Sequence, residues 1–429
     1  MVLARHGLGH VLDGGAPAER RERLATRVAQ VLAELGPTYV KLGQLLATRE
    51  DLFPPDVTRA LGALHADVPP MKPAVVLRVA RRALGRPLET VFAWFDPSPL
   101  AAASIGQVHR ARLRNGEPVV VKVQRPGLQA QIAADLALLR QVAAVLAWRY
   151  PEIAAWDPQS LVDAFERSLG AELDFRREAR NAEKLAAALD GAPEVRVPQV
   201  YAEWTRRDLL VMEWIQGRRL TALSPLERVD ARRRLLRAFS RQVLDHGVFH
   251  ADPHPGNMLV EDDGRLVLLD LGAVDALERP LRSKLGRLVR ALAMRRPRAL
   301  TEAVLQLSPP PQPIDRPRLE GDLGLLVGDL KDRKNGAKVL ARMVAIGRTY
   351  RLKMPPTLVA LVRALALLDG VLRMLDPARD VVGDLRREFV VFLGRRLLWP
   401  VLWLRNGVRK NSDRLRRFLR WIRRHENVA

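Results

Sequence analysis

The sequence predicts an α+β fold, and three observations carry that prediction. Apolar residues recur at helical spacing through the first 70 residues and over most of the chain beyond residue 225. Residues 88–127 change character to short runs rich in Val and aromatic residues, separated by turn signals. A further β-prone pair at 199–214 lies between long helical stretches.

Taken in order, Leu24, Val28, Val31, Leu32 and Leu35 mark a helix stopped by Gly36-Pro37. A second helix is expected over about 39–49, ending before Phe53-Pro54-Pro55, and a third over 73–84, closed by Gly85. Runs at 91–95, 108–113 and 119–123 read as three strands of an antiparallel meander. Asn115-Gly116 supplies the hairpin turn between the last two. Single long helices are expected over 128–150 and 158–189. Two strands follow, 199–204 and 209–214, joined by Arg206-Arg207-Asp208. Helix resumes at 225–246. The segment 248–272 is dense in His, Asp, Pro and Gly between two apolar runs, and the chain beyond it is helical, broken by prolines at 309–311 and 355–356.

The chain has 429 residues, enough for two or three domains, and 48% hydrophobic residues, enough for a large core. Basic residues number 71 against 48 acidic, a net charge of +23. That balance implies an anionic partner: nucleic acid, a phospholipid surface or phosphorylated ligands. Cysteine is absent, which excludes disulfides, thiolate metal sites and a cysteine nucleophile. The N-terminal stretch lacks the apolar run of an export signal, so a cytoplasmic protein is expected.

Chemistry concentrates in Phe249-His250-Ala251-Asp252-Pro253-His254-Pro255-Gly256-Asn257. The Asp252 carboxylate suits orienting or deprotonating a nucleophile, and the Asn257 amide oxygen suits holding a divalent cation. Asp270 ends an apolar run and precedes Gly272, and an acid there beside Asn257 makes a natural Mg²⁺ site. Lys122 projects from Val119-Val120-Val121-Lys122-Val123 as a point charge suited to α- and β-phosphates, and Glu178 is its candidate carboxylate partner. His250 and His254 around Asp252 invite a metallohydrolase reading. Pro253 and Pro255 make the segment a loop, which denies it helical His-x3-His geometry.

These residues resemble the UbiB/AarF family of atypical, protein-kinase-like proteins, over roughly residues 30–375. Lys41-Leu42-Gly43-Gln44 is similar to its K-x-G-Q signature, Ala101-Ala102-Ala103-Ser104 to its alanine-rich loop, and Glu172-Leu173-Asp174 to its E-x-D element. Segment 248–257 is similar to the family's catalytic loop and Asp270-Leu271-Gly272 to its D-x-G. The resemblance implies ATP and Mg²⁺ as cofactors. Asp252, Lys122 and Glu178 would be catalytic, with Asn257 and Asp270 on the metal. Ala101–Ser104, Lys122, Glu213 and Trp214 would contact nucleotide. Lys41, Gly43, Gln44, Glu172 and Asp174 would form a gate across the cleft. Glu172 and Glu178, six residues apart, would stand about 120° apart on one helix, one facing Lys41 and the other Lys122.

Ordinary protein kinases cover the phosphates with a glycine-rich loop, and here alanines stand in its place. Ala251 replaces the catalytic-loop arginine, and no Ala-Pro-Glu follows Asp270, so a peptide-substrate platform is not expected. Residues 385–429 hold 13 Lys/Arg against 3 Asp/Glu and include Trp399, Trp403 and Trp421. Arg395-Arg396 interrupts the apolar run, so an interfacial anchor on anionic lipid is expected rather than a spanning helix.

The expected architecture is a kinase-like bilobal fold. It comprises a helical extension (1–87), a small β-rich lobe with inserted helices (88–216), a helical large lobe (217–384) and a basic tail (385–429). The expected function is Mg-ATP-dependent ATPase or phosphotransferase chemistry at the cytoplasmic membrane surface, supporting isoprenoid-quinone biosynthesis or lipid homeostasis. Quinone-biosynthesis enzymes are candidate partners, and no specific nucleic acid is expected. Two alternatives are a small-molecule kinase of the antibiotic or choline phosphotransferase type, and a catalytically idle nucleotide-binding scaffold.

Overall fold

The computed structural model describes residues 18–47, 55–64, 69–150, 154, 157–310, 312–329, most of 342–379, and positions 384, 387 and 388. The basic tail therefore lies almost wholly outside the described residues. The described chain divides into two compact units, one drawn from 1–183 and 198–215, the other from 184–197 and 216–429. The small lobe expected over 88–216 thus shares a unit with the helical extension, and 184–197 joins the second unit.

The first unit opens with helices α1 (Ala18–Leu35), α2 (Pro37–Ala47), α3 (Pro55–Gly62) and α4 (Pro73–Leu84). Pro37, Pro55 and Pro73 each take the first helical position, where a missing N–H forfeits no intrahelical bond. Gly85 closes α4 in the left-handed conformation at φ 68°, its N–H donating to Arg81 O.

Strands β1 (Phe92–Ala102), β2 (Gly106–Leu113), β3 (Pro118–Gln124) and β5 (Leu209–Glu213) form an antiparallel sheet in the order β1-β2-β3-β5. Val119, Val121 and Val123 alternate onto one face and pack with Val76, Val79 and Ala80 of α4. The opposite face therefore receives Lys122. On the α4 side His109 is buried, stacked 5.6 Å from the Phe95 ring, and desolvation lowers its pKa.

Helices α5 (Leu128–Arg149) and α6 (Pro158–Glu172) pack through Leu128, Ile132 and Leu136 against Val162, Phe165 and Leu169. Helix α7 (Phe175–Ala188) follows α6.

Three expectations are corrected. The single helix over 158–189 is two, because the Asp174 carboxylate accepts from the Arg176 N–H and starts α7 afresh. Apolar spacing runs unbroken through Leu169, Leu173, Ala179 and Ala182, so periodicity could not reveal the joint. The geometry that placed Glu172 and Glu178 on one helix falls with it. Strand β1 is also longer than expected, reaching Ala102 through Pro97 and Pro99, which an edge strand tolerates. Finally, 199–204 makes only a bridge between Val200 and Met212. Tyr201 O then accepts from Trp204 N–H and from Thr205 Oγ1, turning the chain away.

The second unit contains a sheet in the order β4 (Val195–Arg196), β9 (Leu266–Leu268), β8 (Met258–Val260) and β6 (Arg218–Arg219). A separate ladder joins β7 (Val248–His250) to β10 (Val274–Ala276). Among the described residues its helices include α8 (Pro225–Arg241), α9 (Arg279–Ala293), α10 (Pro297–Leu307), α11 (Arg316–Asp329) and α12 (Pro356–Leu375). Ser224 and Glu227 cap α8 reciprocally, and Arg218 with Ser224 holds the Glu227 carboxyl down at about 2. A π-helical turn, Gln242–His246, ends α8 and leads into β7. The fold is mixed α+β with a kinase-like sheet and helical additions, as the sequence predicts.

Candidate active site

Lys122 stands at the middle of β3, opposite Val108 of β2 and Leu210 of β5. Its Nζ lies 2.8 Å from Glu178 Oε2 and 3.1 Å from Oε1, so one carboxylate embraces it with both oxygens. Glu178 sits in the first turn of α7, where the helix dipole favours a negative charge, and is only 8% exposed. Phe175, the first residue of α7, places its ring 5.2 Å from the same ammonium. Gln124, two residues on from Lys122, donates to Leu173 O at 3.0 Å and ties β3 to the joint ahead of α7.

The K-x-G-Q residues divide their work. Lys41 pairs with Glu172, the last residue of α6, at 2.7 Å. Gln44 Nε2 donates to Leu64 O at 2.9 Å, just beyond the end of α3. Gly43 lies in close packing, where a Cβ would push aside the ends of the Leu64 and Leu32 side chains. Hydrogen bonding from Arg176 lowers the Asp174 pKa from its ordinary value.

Ala101 and Ala102 are strand residues, paired with Val108 and Gln107. The alanine-rich loop is thus a tight turn in which Ala103 N–H donates to Gly106 O at 2.8 Å. Gly106 is obligatory, because a Cβ would stand 2.5 Å from Val123 O. At the end of β5, Glu213 N–H donates to Gln199 O and Trp214 N–H to Pro118 O, so both amide hydrogens are engaged within the unit. The Arg110 guanidinium covers the Trp214 ring at 4.4 Å.

In the second unit, backbone bonds bring the two acidic loops together. Ala251 N–H donates to Ala273 O at 2.8 Å, extending the β7–β10 ladder beside Asp252. Leu269 N–H donates to Asn257 O at 2.9 Å, continuing the β8–β9 pairing to the threshold of Asp270. Asn257 thus stands opposite Leu269, with Asp270 the next residue along, so an amide and a carboxylate with hard oxygens lie at the ends of adjacent strands. That donor set fits Mg²⁺, which is held by one or two carboxylates with water completing the shell. Gly272 N–H donates to Asp270 Oδ1 at 2.9 Å and fixes that carboxylate's orientation.

His250 is 2% exposed and accepts the Asp252 N–H on Nδ1 at 3.1 Å, while its backbone N–H donates to Gln242 Oε1. Burial lowers its pKa, opposed by the Asp270 and Asp252 charges, and the Nδ1 acceptor sets the loop. His254 Nδ1 likewise accepts from Gly256 N–H. Both histidines are therefore engaged by backbone. Among the described residues no three His, Cys, Asp or Glu gather as metal ligands, which leaves the metallohydrolase reading unsupported.

Two participants escaped sequence reasoning. Gln242 is delivered by the π-helical turn, which helical periodicity does not register. Arg363 of α12 brings Nη2 to 4.0 Å from Asp252 Oδ1, from 111 residues away.

Comparison with known proteins identifies the lineage. The ABC1 atypical kinase-like domain matches residues 63–304, and the UbiB helical domain matches 333–380. The chain belongs to the UbiB/AarF family. A probable protein kinase UbiB of Pseudomonas paraeruginosa is 35% identical over 379 residues, 84% of this chain and 71% of that protein. The protein ACTIVITY OF BC1 COMPLEX KINASE 3, chloroplastic, of Arabidopsis thaliana is 33% identical, across 90% of this chain and 55% of that one. Among solved structures, the Rv3197–erythromycin complex of Mycobacterium tuberculosis matches with a TM-score of 0.61 and 29% identity. That match covers 84% of this chain and 94% of the other. The chain spans 52–66% of the length of the first curated relatives it matches. Membership brings the helical domain containing α12 into the family frame, and with it Arg363.

Proposed function

We propose that the chain binds Mg-ATP and hydrolyses or transfers its γ-phosphoryl group at a membrane surface, supporting isoprenoid-quinone biosynthesis or lipid homeostasis. The observation that carries this reading is the Lys122–Glu178 pair, a strand ammonium held by both oxygens of a helix carboxylate. Such a pair presents one fixed positive charge to nucleotide phosphates. Asp252 orients the attacking hydroxyl or water and takes its proton, with Arg363 steadying the carboxylate. Asn257 and Asp270 hold Mg²⁺, which when bound neutralises phosphate charge. The Ala101–Ser104 segment covers the phosphates, and the adenine edge meets Glu213–Trp214. Lys41, Gly43, Gln44, Glu172 and Asp174 close the peptide-facing side of the cleft.

Membrane association draws support from α5 as well as from the basic tail. By length and composition α5 is apolar enough to cross a bilayer. One face packs on α6, and the other exposes Leu138, Val142, Val145 and Trp148. An exposed apolar stripe ending in a tryptophan suits the interfacial zone of a membrane.

The test is ATP turnover by purified protein with Mg²⁺, with and without anionic vesicles. Turnover that depends on Mg²⁺ and disappears in Asp270→Asn supports the reading. Nucleotide binding with turnover equal to that variant would instead assign an idle scaffold.

A further inference from the structure

Helices α9 and α10 of the second unit pack together and leave a groove between them. Ala291 of α9 meets Ala299 and Ala303 of α10 there, and such short side chains leave a hollow of about 440 Å³. Small-molecule sites run from about 300 to 1,000 Å³, so the groove is large enough for an organic ligand. Met294, 55% exposed, adds a large apolar side chain to the same lining.

The rim is cationic. Arg287 and Arg290 stand three apart on α9, on the face turned to the groove. Past the end of α9, Arg295 takes the left-handed conformation at φ 52° and Arg296 N–H donates to Ala291 O at 3.0 Å. The chain therefore folds back and brings Arg296 to the lining as well. Among the described residues none of these three guanidiniums pairs with a carboxylate. Arg287 donates to Gln306 Oε1 across the groove at 3.0 Å and to Ser283 Oγ at 3.3 Å, and both partners are neutral. The acid of the lining, Glu302, is instead 3.5 Å from Arg316 of α11. Positive charges that repel one another thus stand uncompensated around an apolar floor.

We propose that the α9–α10 groove binds an anionic amphiphile, its acidic head on Arg290 and Arg296 and its apolar body on the alanines and Met294. Arginine forks match the oxygens of a phosphate or carboxylate, and covering the alanine floor removes apolar surface from water. A simple anion would leave that floor bare, and a neutral apolar ligand would leave the charges unanswered. None of these residues lies in the segment 248–272, so the site stands apart from the nucleotide reading. A soluble amphiphile and a lipid drawn from a bilayer would present the same head.

The experiment titrates dodecyl phosphate, below its aggregation concentration, into the full chain by calorimetry. R290Q/R296Q removes two exposed cations of the rim, and A299W fills the groove from an exposed position while keeping every charge. R78Q/R112Q removes the same charge from exposed positions of the first unit. Binding should be saturable and weakened at least about tenfold by R290Q/R296Q and by A299W, with R78Q/R112Q unchanged. Inorganic phosphate and decanol, each carrying half of the ligand's chemistry, should bind at least about tenfold more weakly than dodecyl phosphate. E302Q should tighten binding, a change that misfolding cannot produce. Co-sedimentation with vesicles containing phosphatidic acid separates the sources: its loss in A299W assigns a bilayer lipid, and its persistence beside lost dodecyl phosphate binding assigns a soluble ligand. Absence of saturable binding, undiminished binding by A299W, or equal losses in the two arginine variants would overturn the proposal.

Discussion

In the first unit the charged residues of interest already have partners. Lys122 rests against Glu178 and Lys41 against Glu172, each lysine meeting a helix carboxylate. In the second unit the backbone of the acidic loops is fixed by ladders, yet the Asp252 side chain is 41% exposed and meets its nearest cation only at 4.0 Å. One region has its charged side chains already paired; the other holds the backbone of its acidic loops while leaving Asp252 exposed. The contrast teaches where ligand dependence should appear: activity should hinge on the second unit's acids, and stability on the first unit's pairs.

Asp270→Asn tests the activity side and has the largest expected effect. Turnover should fall by at least about 100-fold, with Tm essentially unchanged, because the substitution keeps size and removes charge from the proposed metal-binding position. A matched loss of Tm would show that Asp270 supports the fold as Lys122 does.

Lys122→Ala tests the other side by stranding Glu178. Loss of one partner of a buried pair costs about 3 kcal/mol, measurable by urea denaturation. Lys41→Ala should cost less than about 1 kcal/mol, since its pair is roughly 30% exposed (27% and 32%). Equal losses would erase the distinction between the two pairs.

Gly43→Ala sharpens the reading of the K-x-G-Q helix. Overpacking against Leu64 and Leu32 should destabilise by about 1–3 kcal/mol while leaving nucleotide affinity intact. Altered affinity at unchanged stability would show that Gly43 acts on the nucleotide directly and not through packing.

The smallest effect is a pH dependence. His250 and His109 are lowered from 6.5 by burial, so the unfolded chain binds more protons just below that value. Their contribution to stability is complete above about pH 6.5 and is lost as pH falls through the lowered values. Tm should therefore decline on acidification from pH 7.5 to 5. His250→Asn, which retains an acceptor for the Asp252 N–H without titrating, should flatten part of that decline.

Much of this was legible in the sequence where a residue type has one strong local meaning. Pro73 and Gly85 bounded α4 correctly, and the β-prone run 119–123 located the strand that carries Lys122. Legibility failed where tertiary hydrogen bonds overruled local pattern. Pro97 and Pro99 concealed the length of β1, whose outer edge needs no donors. The turn bonded to Tyr201 O ended a β-prone run, and Arg363 reaches Asp252 through packing that no motif announces.

The joint at Leu173–Asp174 bears on how chain length can vary in this molecule. Within a continuous helix, one inserted residue turns everything beyond it by about 100°, which would swing Glu178 off Lys122. Between α6 and α7 the spacing of Glu172 from Glu178 is set instead by two non-helical residues. The Leu173 carbonyl is anchored by Gln124 and the Phe175 N–H by Arg207 O. Each carboxylate is therefore indexed to its own lysine by a separate helix. An insertion between the two anchors can be absorbed as slack, whereas one inside the first turn of α7 cannot. Of the two acids, Glu178 has the register that evolution must count residue by residue.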